Sequence, residues 1–280
     1  MLLPALALAP MVALPWQAHA ATAADQFTTV NVNYVYASTL GFGGYSLAGL
    51  DASVYALPLS HSFLLDGAGG TVLRVTLPLQ FGVYSFRAAG PDGSRIAIDQ
   101  QSVALVPEFE LQVPVAPDSV LKPFVAAGAA HAFGVSGGTA DAWVYAGGLR
   151  GVTAQHFGAT TLSLGAAAMA AGDSAMGPGF REQYVALEVG AELRHPLGIT
   201  LGRLTPDAGV YVIAYDYPEP LQFSRYLHPP LQVRNQGEVG VTFGSTTPIG
   251  ISWLDTARIG AGYVFGDGLR VWHVVFGFPF

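Results

Sequence analysis

Residues 71–84 read TVLRVTLPLQFGVY, and their alternation decides the fold. In an extended chain, Leu73, Val75, Leu77, Leu79, Phe81 and Val83 share one face. Arg74, Thr76, Pro78, Gln80 and Gly82 share the other. A period of two residues belongs to a strand whose faces meet different surroundings. The run is longer than the roughly five to six residues of a common soluble strand. It is long enough for the roughly 9–11 residues that a tilted strand needs to cross a bilayer.

The same pattern returns along the chain. Val103, Leu105, Phe109, Leu111, Val113 and Val115 oppose Ser102, Glu108, Glu110 and Gln112. Val185, Leu187, Val189, Ala191 and Leu193 oppose Glu182, Glu188, Glu192 and Arg194. Val239, Val241 and Phe243 oppose Glu238, Gly240 and Thr242, and Ile259, Ala261, Tyr263 and Phe265 oppose Arg258, Gly260 and Gly262.

Composition narrows the setting. Of 280 residues, 11% are charged and 51% hydrophobic, with 35 glycines and no cysteine. Mean hydropathy is +0.41. An ordinary soluble domain carries roughly 25% charged residues. Disorder is excluded, because it needs high charge and low hydrophobicity. The absence of cysteine excludes disulfides and thiolate metal sites. A net charge of −7 with 12 basic residues offers no basic face, so no nucleic-acid partner is expected.

The chain is as apolar as a membrane protein, yet no segment after Ala21 reads as a spanning helix. One long uncharged run, Gly151 to Gly172, holds four glycines, two threonine neighbours, Gln155, His156 and Ser163. Gly and Thr are poor helix formers. Only helices and closed β-barrels satisfy every backbone group in lipid. The expected fold class is therefore all-β: a transmembrane antiparallel up-and-down β-barrel of twelve strands.

Strands are expected near 27–38, 50–62, 71–85, 102–115, 120–133, 140–151, 158–171, 181–195, 206–217, 233–244, 256–265 and 269–280. An even number puts both ends on one side, the periplasmic side. The outer loops then fall near 39–49, 86–101, 134–139, 172–180, 218–232 and 266–268. Ahead of the strands, residues 1–20 are apolar and end Ala18-His19-Ala20, a small-x-small cleavage pattern. They are expected to be a signal peptide, although no Lys or Arg precedes the apolar run. Residues 21–280 would form the barrel, placed in the outer membrane of a Gram-negative cell among its lipids and lipopolysaccharide.

The carboxyl end reads RVWHVVFGFPF over 270–280. Trp272, Val274, Phe276, Phe278 and Phe280 are expected on one face, and such an end resembles the sorting signal of outer-membrane barrels. The resemblance implies a partner, the barrel assembly machinery, which would read the strand by edge pairing. Residues 258–280, with Tyr34-Val35-Tyr36-Ala37-Ser38 and Gly41-Phe42-Gly43, look similar to solitary autotransporter-like barrels. Those barrels resemble the twelve-strand translocator of autotransporters and carry no passenger. This implies an outer-membrane address and no known substrate.

Candidate chemistry is sparse. Arg74, Gln80, Glu108, Glu110, Glu188, Glu192, Arg194, Glu238 and Arg258 are expected to line the lumen. The acids there should pair with Arg74, Arg194 and Arg258, since a buried charge needs a partner. Six aromatics, Trp143, Tyr145, Tyr211, Tyr215, Tyr217 and Trp272, are candidates for interfacial girdles. The histidines are scattered without metal-ligand spacing, so no metal site, cofactor or catalytic residue is assigned. His61-Ser62 is the only close Ser/His pair, and adjacent strand residues point to opposite faces. The expected function is a passenger-free structural barrel or a narrow channel with mild cation preference. The alternatives are an outer-membrane lipid hydrolase and a surface-binding barrel.

Overall fold

The alternating runs all become strands. The computed structural model describes residues 42–47, 50–66, 70–89, 95–133, 141–177, 181–202, 204–224, 231–245, 258–276, 278 and 280. The expected signal peptide and the expected strand at 27–38 lie outside the described residues.

In chain order the strands are β1 (Phe42–Leu47), β2 (Leu50–Leu64), β3 (Val72–Ala89), β4 (Arg95–Leu105), β5 (Glu108–Ala116), β6 (Ser119–Phe133), β7 (Asp141–Phe157), β8 (Thr160–Ala175), β9 (Arg181–Pro196), β10 (Pro206–Ser224), β11 (Leu231–Ser245), β12 (Arg258–Gly266) and β13 (Leu269–Val275). Each pairs antiparallel with its sequence neighbours, except at β4 and β5. Both of these lie between β3 and β6. They are one strand interrupted at Val106-Pro107, where proline has no N–H to give the ladder. The thirteen segments thus occupy twelve positions, the expected number, although β1 lies within the expected outer loop 39–49. The ring closes where β1 pairs with both β2 and β13, so no strand is left as an open edge among the described residues.

Closure separates the two faces. Val189, Val212 and Trp272 point outward at 60%, 52% and 66% exposure, while Val233, Val264 and Val271 point inward at 0%. The outward positions from Leu77 to Phe81, Leu121 to Val125 and Val185 to Leu193 carry no charge. Such a surface is suited to hydrocarbon and not to water.

Turn chemistry fixes the register. Phe157 pairs with Thr160 across Gly158-Ala159, with Gly158 at φ 61°. Gly266-Asp267-Gly268 joins β12 to β13, with Asp267 at φ 45° and Gly268 at 83°, the left-handed pair of a tight hairpin. Asp267 Oδ2 also accepts the backbone N–H groups of Arg234 and Asn235, at 2.7 and 3.0 Å. Those two N–H groups sit beside a β-bulge, where β11 slips against β10 between Asp216 and Leu221. These contacts hold the Asp267 carboxyl below the usual carboxylate range, the Asn235 N–H first and the Arg234 N–H second.

Several expected boundaries move. The regions 86–101 and 218–232 are mostly strand and not loop, because β3, β4, β10 and β11 continue into them. The expected turn at 152–157 also belongs to β7, whose hairpin lies at 158–159. Polar residues there read as loop, yet a strand that outruns the bilayer alternates among polar residues without losing its ladder. The last strand ends at Val275 instead of reaching 280. Gly277 and Pro279 follow, and both weaken strand pairing.

Candidate functional site

The inward faces meet in the lumen, which has two different halves. Towards the 267–268 hairpin it is mostly apolar, with Asp173 and Gln236 as buried polar members. Val233, Val264 and Val271 are fully buried, and Leu221 and Leu269 are 2% exposed. The Tyr184 and Tyr217 rings meet edge to face there, with centroids 6.0 Å apart.

The middle of the lumen holds three charged clusters. In the first, Glu238 on β11 is fully engaged. Tyr211 donates its hydroxyl to Oε1 at 2.6 Å, Tyr215 donates to Oε2 at 2.5 Å, and His273 Nε2 lies 2.8 Å from Oε1. The Tyr211 ring lies over Gly240 and its hydroxyl over Gly262, and a Cβ at either position would collide with them. Two glycines on neighbouring strands therefore make the floor on which this ring rests.

The second cluster joins Glu192, Arg194, Asp207, Thr242 and Arg258. Thr242 donates to Glu192 Oε1 at 2.6 Å, and Arg258 reaches Thr242, Glu192 and Asp207. Arg194 Nε stands 3.5 Å from Glu192. In the third, Arg150 on β7 bridges Glu108 and Glu110, with closest N–O distances of 3.0 and 2.7 Å. Its guanidinium also stacks 3.7 Å from the Phe124 ring centre. A planar fork suits both tasks, which lysine could not combine.

Beside these clusters lies a cavity of about 330 Å³, walled by Glu108, Arg150, Glu188, Glu238 and His273 on its charged side. Its apolar side includes Phe124, Met169, Tyr184, Tyr215 and Tyr217. At the end opposite the apolar half, Phe280 turns into the lumen and packs with Tyr211, Ile213 and Val275. Gly165 and Gly190 make room for its ring; a Cβ on Gly190 would stand 2.7 Å from it.

All nine expected lumen residues occupy inward positions of the sheet. Glu108 and Glu110 come together with Arg150, which the sequence reading did not single out, in place of the expected arginines. The Glu192 cluster does use Arg194 and Arg258. Arg74 stands in register with Glu110, and Gln80 lines the cavity. Lys122, Asp207 and His273 also belong to the network. Arg150 was legible in principle: Trp143, Tyr145, Gly147 and Leu149 alternate outward and leave it on the inner face.

Two expectations need correction. Tyr211, Tyr215 and Tyr217 face inward as hydrogen-bond donors and not outward as girdle residues; Trp143 and Trp272 do face outward. Period-two alternation identifies a face but not which face is wet, and these hydroxyls find carboxylate or amide acceptors only inside. Trp272, Val274, Phe276, Phe278 and Phe280 do not share one strand face, since Phe280 is buried in the lumen. His61 is exposed on the outer face while Ser62 is half-buried on the opposite one, so this Ser/His pair is not assembled.

No protein-family profile matches the chain. No curated protein matches it in sequence. Among solved structures, it is similar to the crystal structure of the β domain of the Bordetella autotransporter BrkA, with a TM-score of 0.54 and 12% identity. The match covers 83% of this chain and 92% of that one. The fold is thus that of an autotransporter-type β-barrel domain: all-β, antiparallel, with twelve strand positions.

Proposed function

We propose that this protein is an outer-membrane β-barrel whose resting lumen is closed by its own side chains, so that its role is structural and not that of an open pore. The observation that carries this is the burial of Val233, Val264 and Val271, inward-facing residues that water does not reach. In a barrel with an aqueous channel, inward positions are polar and wet. Phe280 closes the opposite end. The uncharged outer band supports residence among outer-membrane lipids and lipopolysaccharide. The apolar leader supports export, and the carboxyl-terminal strand supports recognition by the assembly machinery before its last residues turn inward. The separation of His61 from Ser62 supports a non-catalytic reading.

The test is conductance of the refolded full chain in a planar bilayer, beside fractionation of cells that produce it. A correctly folded but silent barrel in the outer-membrane fraction is the expected result. Discrete conductance steps from the unaltered chain would overturn the closed lumen and favour the narrow-channel reading. In that case the excess of Glu108, Glu188 and Glu238 over Arg150 along the cavity wall sets a mild preference for cations.

A further inference from the structure

We propose that the mid-lumen cavity binds a small organic cation, an ammonium group carried on an apolar or aromatic body. The inference rests on the closed-barrel reading, in which the cavity is bounded by the lumen's own side chains. At about 330 Å³ the cavity lies at the small end of ligand pockets, roughly 300–1,000 Å³.

Its chemistry is one-sided. Three acids, Glu108, Glu188 and Glu238, face it with Arg150 as the one arginine in its wall. Two of those acids are already engaged. Glu108 accepts from Arg150, and Glu238 takes two tyrosine hydroxyls and His273. Glu188 differs. Its partners in register are Ala167, which has nothing to donate, and Tyr215, which gives its hydroxyl to Glu238 instead. Arg150 and Glu238 act on Glu188 through charge, but among the described residues none makes a hydrogen bond to it. A deeply placed carboxylate facing a void is therefore left with open acceptor positions, an arrangement that costs free energy until a donor arrives.

The rest of the wall selects the kind of donor. Tyr215, Tyr217 and Met169 offer ring faces and a soft thioether, while the Phe124 ring already carries the Arg150 guanidinium. Ring faces attract an ammonium group, and apolar walls hold its carbon body. A hard divalent ion wants six or more oxygens, and two of the three carboxylates here are already engaged by Arg150, the tyrosines and His273. Glu188 would accept the ammonium N–H groups, and the aromatic side would cover the remainder.

The experiment is titration calorimetry of the full chain refolded in detergent, with benzylamine at neutral pH, benzyl alcohol and calcium chloride as probes. Saturable binding of benzylamine, absent for the alcohol and for calcium, is expected. Glu188→Gln, nearly identical in shape, should weaken it about tenfold or more, the value of one hydrogen bond to a charged group. Ala146→Leu fills the cavity without changing charge and should also abolish binding. Folding of each variant is read from its heat-dependent gel mobility. Equal binding of the alcohol, displacement by calcium, no saturable heat, or unchanged affinity in folded Glu188→Gln would each overturn the site. If Glu188→Gln fails to fold, unchanged binding in Ala146→Leu overturns it. A conducting barrel that binds benzylamine would keep this site and lose the closed resting state; a silent barrel that ignores benzylamine would do the reverse.

Discussion

Lys122 Nζ donates to the backbone carbonyl oxygen of Phe280 at 2.8 Å, tying the sixth strand to a residue 158 positions further along the chain. The ammonium thus anchors the segment whose ring packs inside the lumen, where Gly165 and Gly190 receive it. Lys122→Met keeps the stem and removes the donor. It should lower stability by about 1.5 kcal/mol, the lower value for a hydrogen bond to a charged group. Phe280→Ala should cost about 3 kcal/mol, since it empties a buried aromatic position. Urea unfolding of the barrel in vesicles measures both. On the closed-lumen proposal Phe280→Ala should stay electrically silent, since the apolar half is untouched.

Arg150 holds two carboxylates at once. Arg150→Met removes the cation that Glu108 and Glu110 share. The expected loss is about 3 kcal/mol, the low end for breaking a buried ion pair, because its side chain keeps some contact with water. Glu110→Gln in the same background should recover part of that loss. A double-mutant cycle by urea unfolding gives the coupling, and additive losses would contradict the triad.

Tyr211 lies on a floor of glycine. Gly240→Ala places a methyl group into its ring and should cost about 1–3 kcal/mol, as overpacking does. Adding Tyr211→Leu should make the alanine far better tolerated, although Glu238 then loses one donor. Unfolding curves for the two single variants and the double variant would show it.

The lipid face predicts its own asymmetry. Val212→Arg puts a charge on the exposed outer surface of β10, where about 2–4 kcal/mol is expected if the position lies near the bilayer midplane. The cost should appear on refolding into vesicles and shrink in a loose detergent micelle. An equal cost in both would mean that residue 212 does not face hydrocarbon.

Asp267 gives a pH dependence. Its carboxyl is held below its ordinary value by the N–H groups of Asn235 and Arg234. The resulting stability is present above the unfolded-state value and is lost as pH falls through the lower folded-state value. Asp267→Asn should therefore narrow the difference between neutral and acid stability, read from urea midpoints across that range. The same pH slope in both proteins would leave the carboxylate without this role.

Much of this fold could be read from residues 71–84 and their repeats, because a barrel wall separates two solvents and writes that separation into every second residue. Which inner residues touch was not readable. Glu110 meets Arg150 because β5 and β7 both flank β6, so their inward side chains converge across it, and no spacing in the chain expresses that. Tyr211 was misplaced for a related reason. Its hydroxyl finds Glu238 on the next strand, a fact of register and not of local pattern. The turn inward at Phe280 depends on a lysine and two glycines on three other strands.

The ring is stitched unevenly. It closes between β1, six residues long, and β13, seven, whereas β7 and β8 face each other over 17 and 16 residues. A hoop under tension parts at its weakest join. In hydrogen exchange, the amides of that join should exchange before those between β7 and β8, and a barrel pulled or thinned by its bilayer should unzip there first.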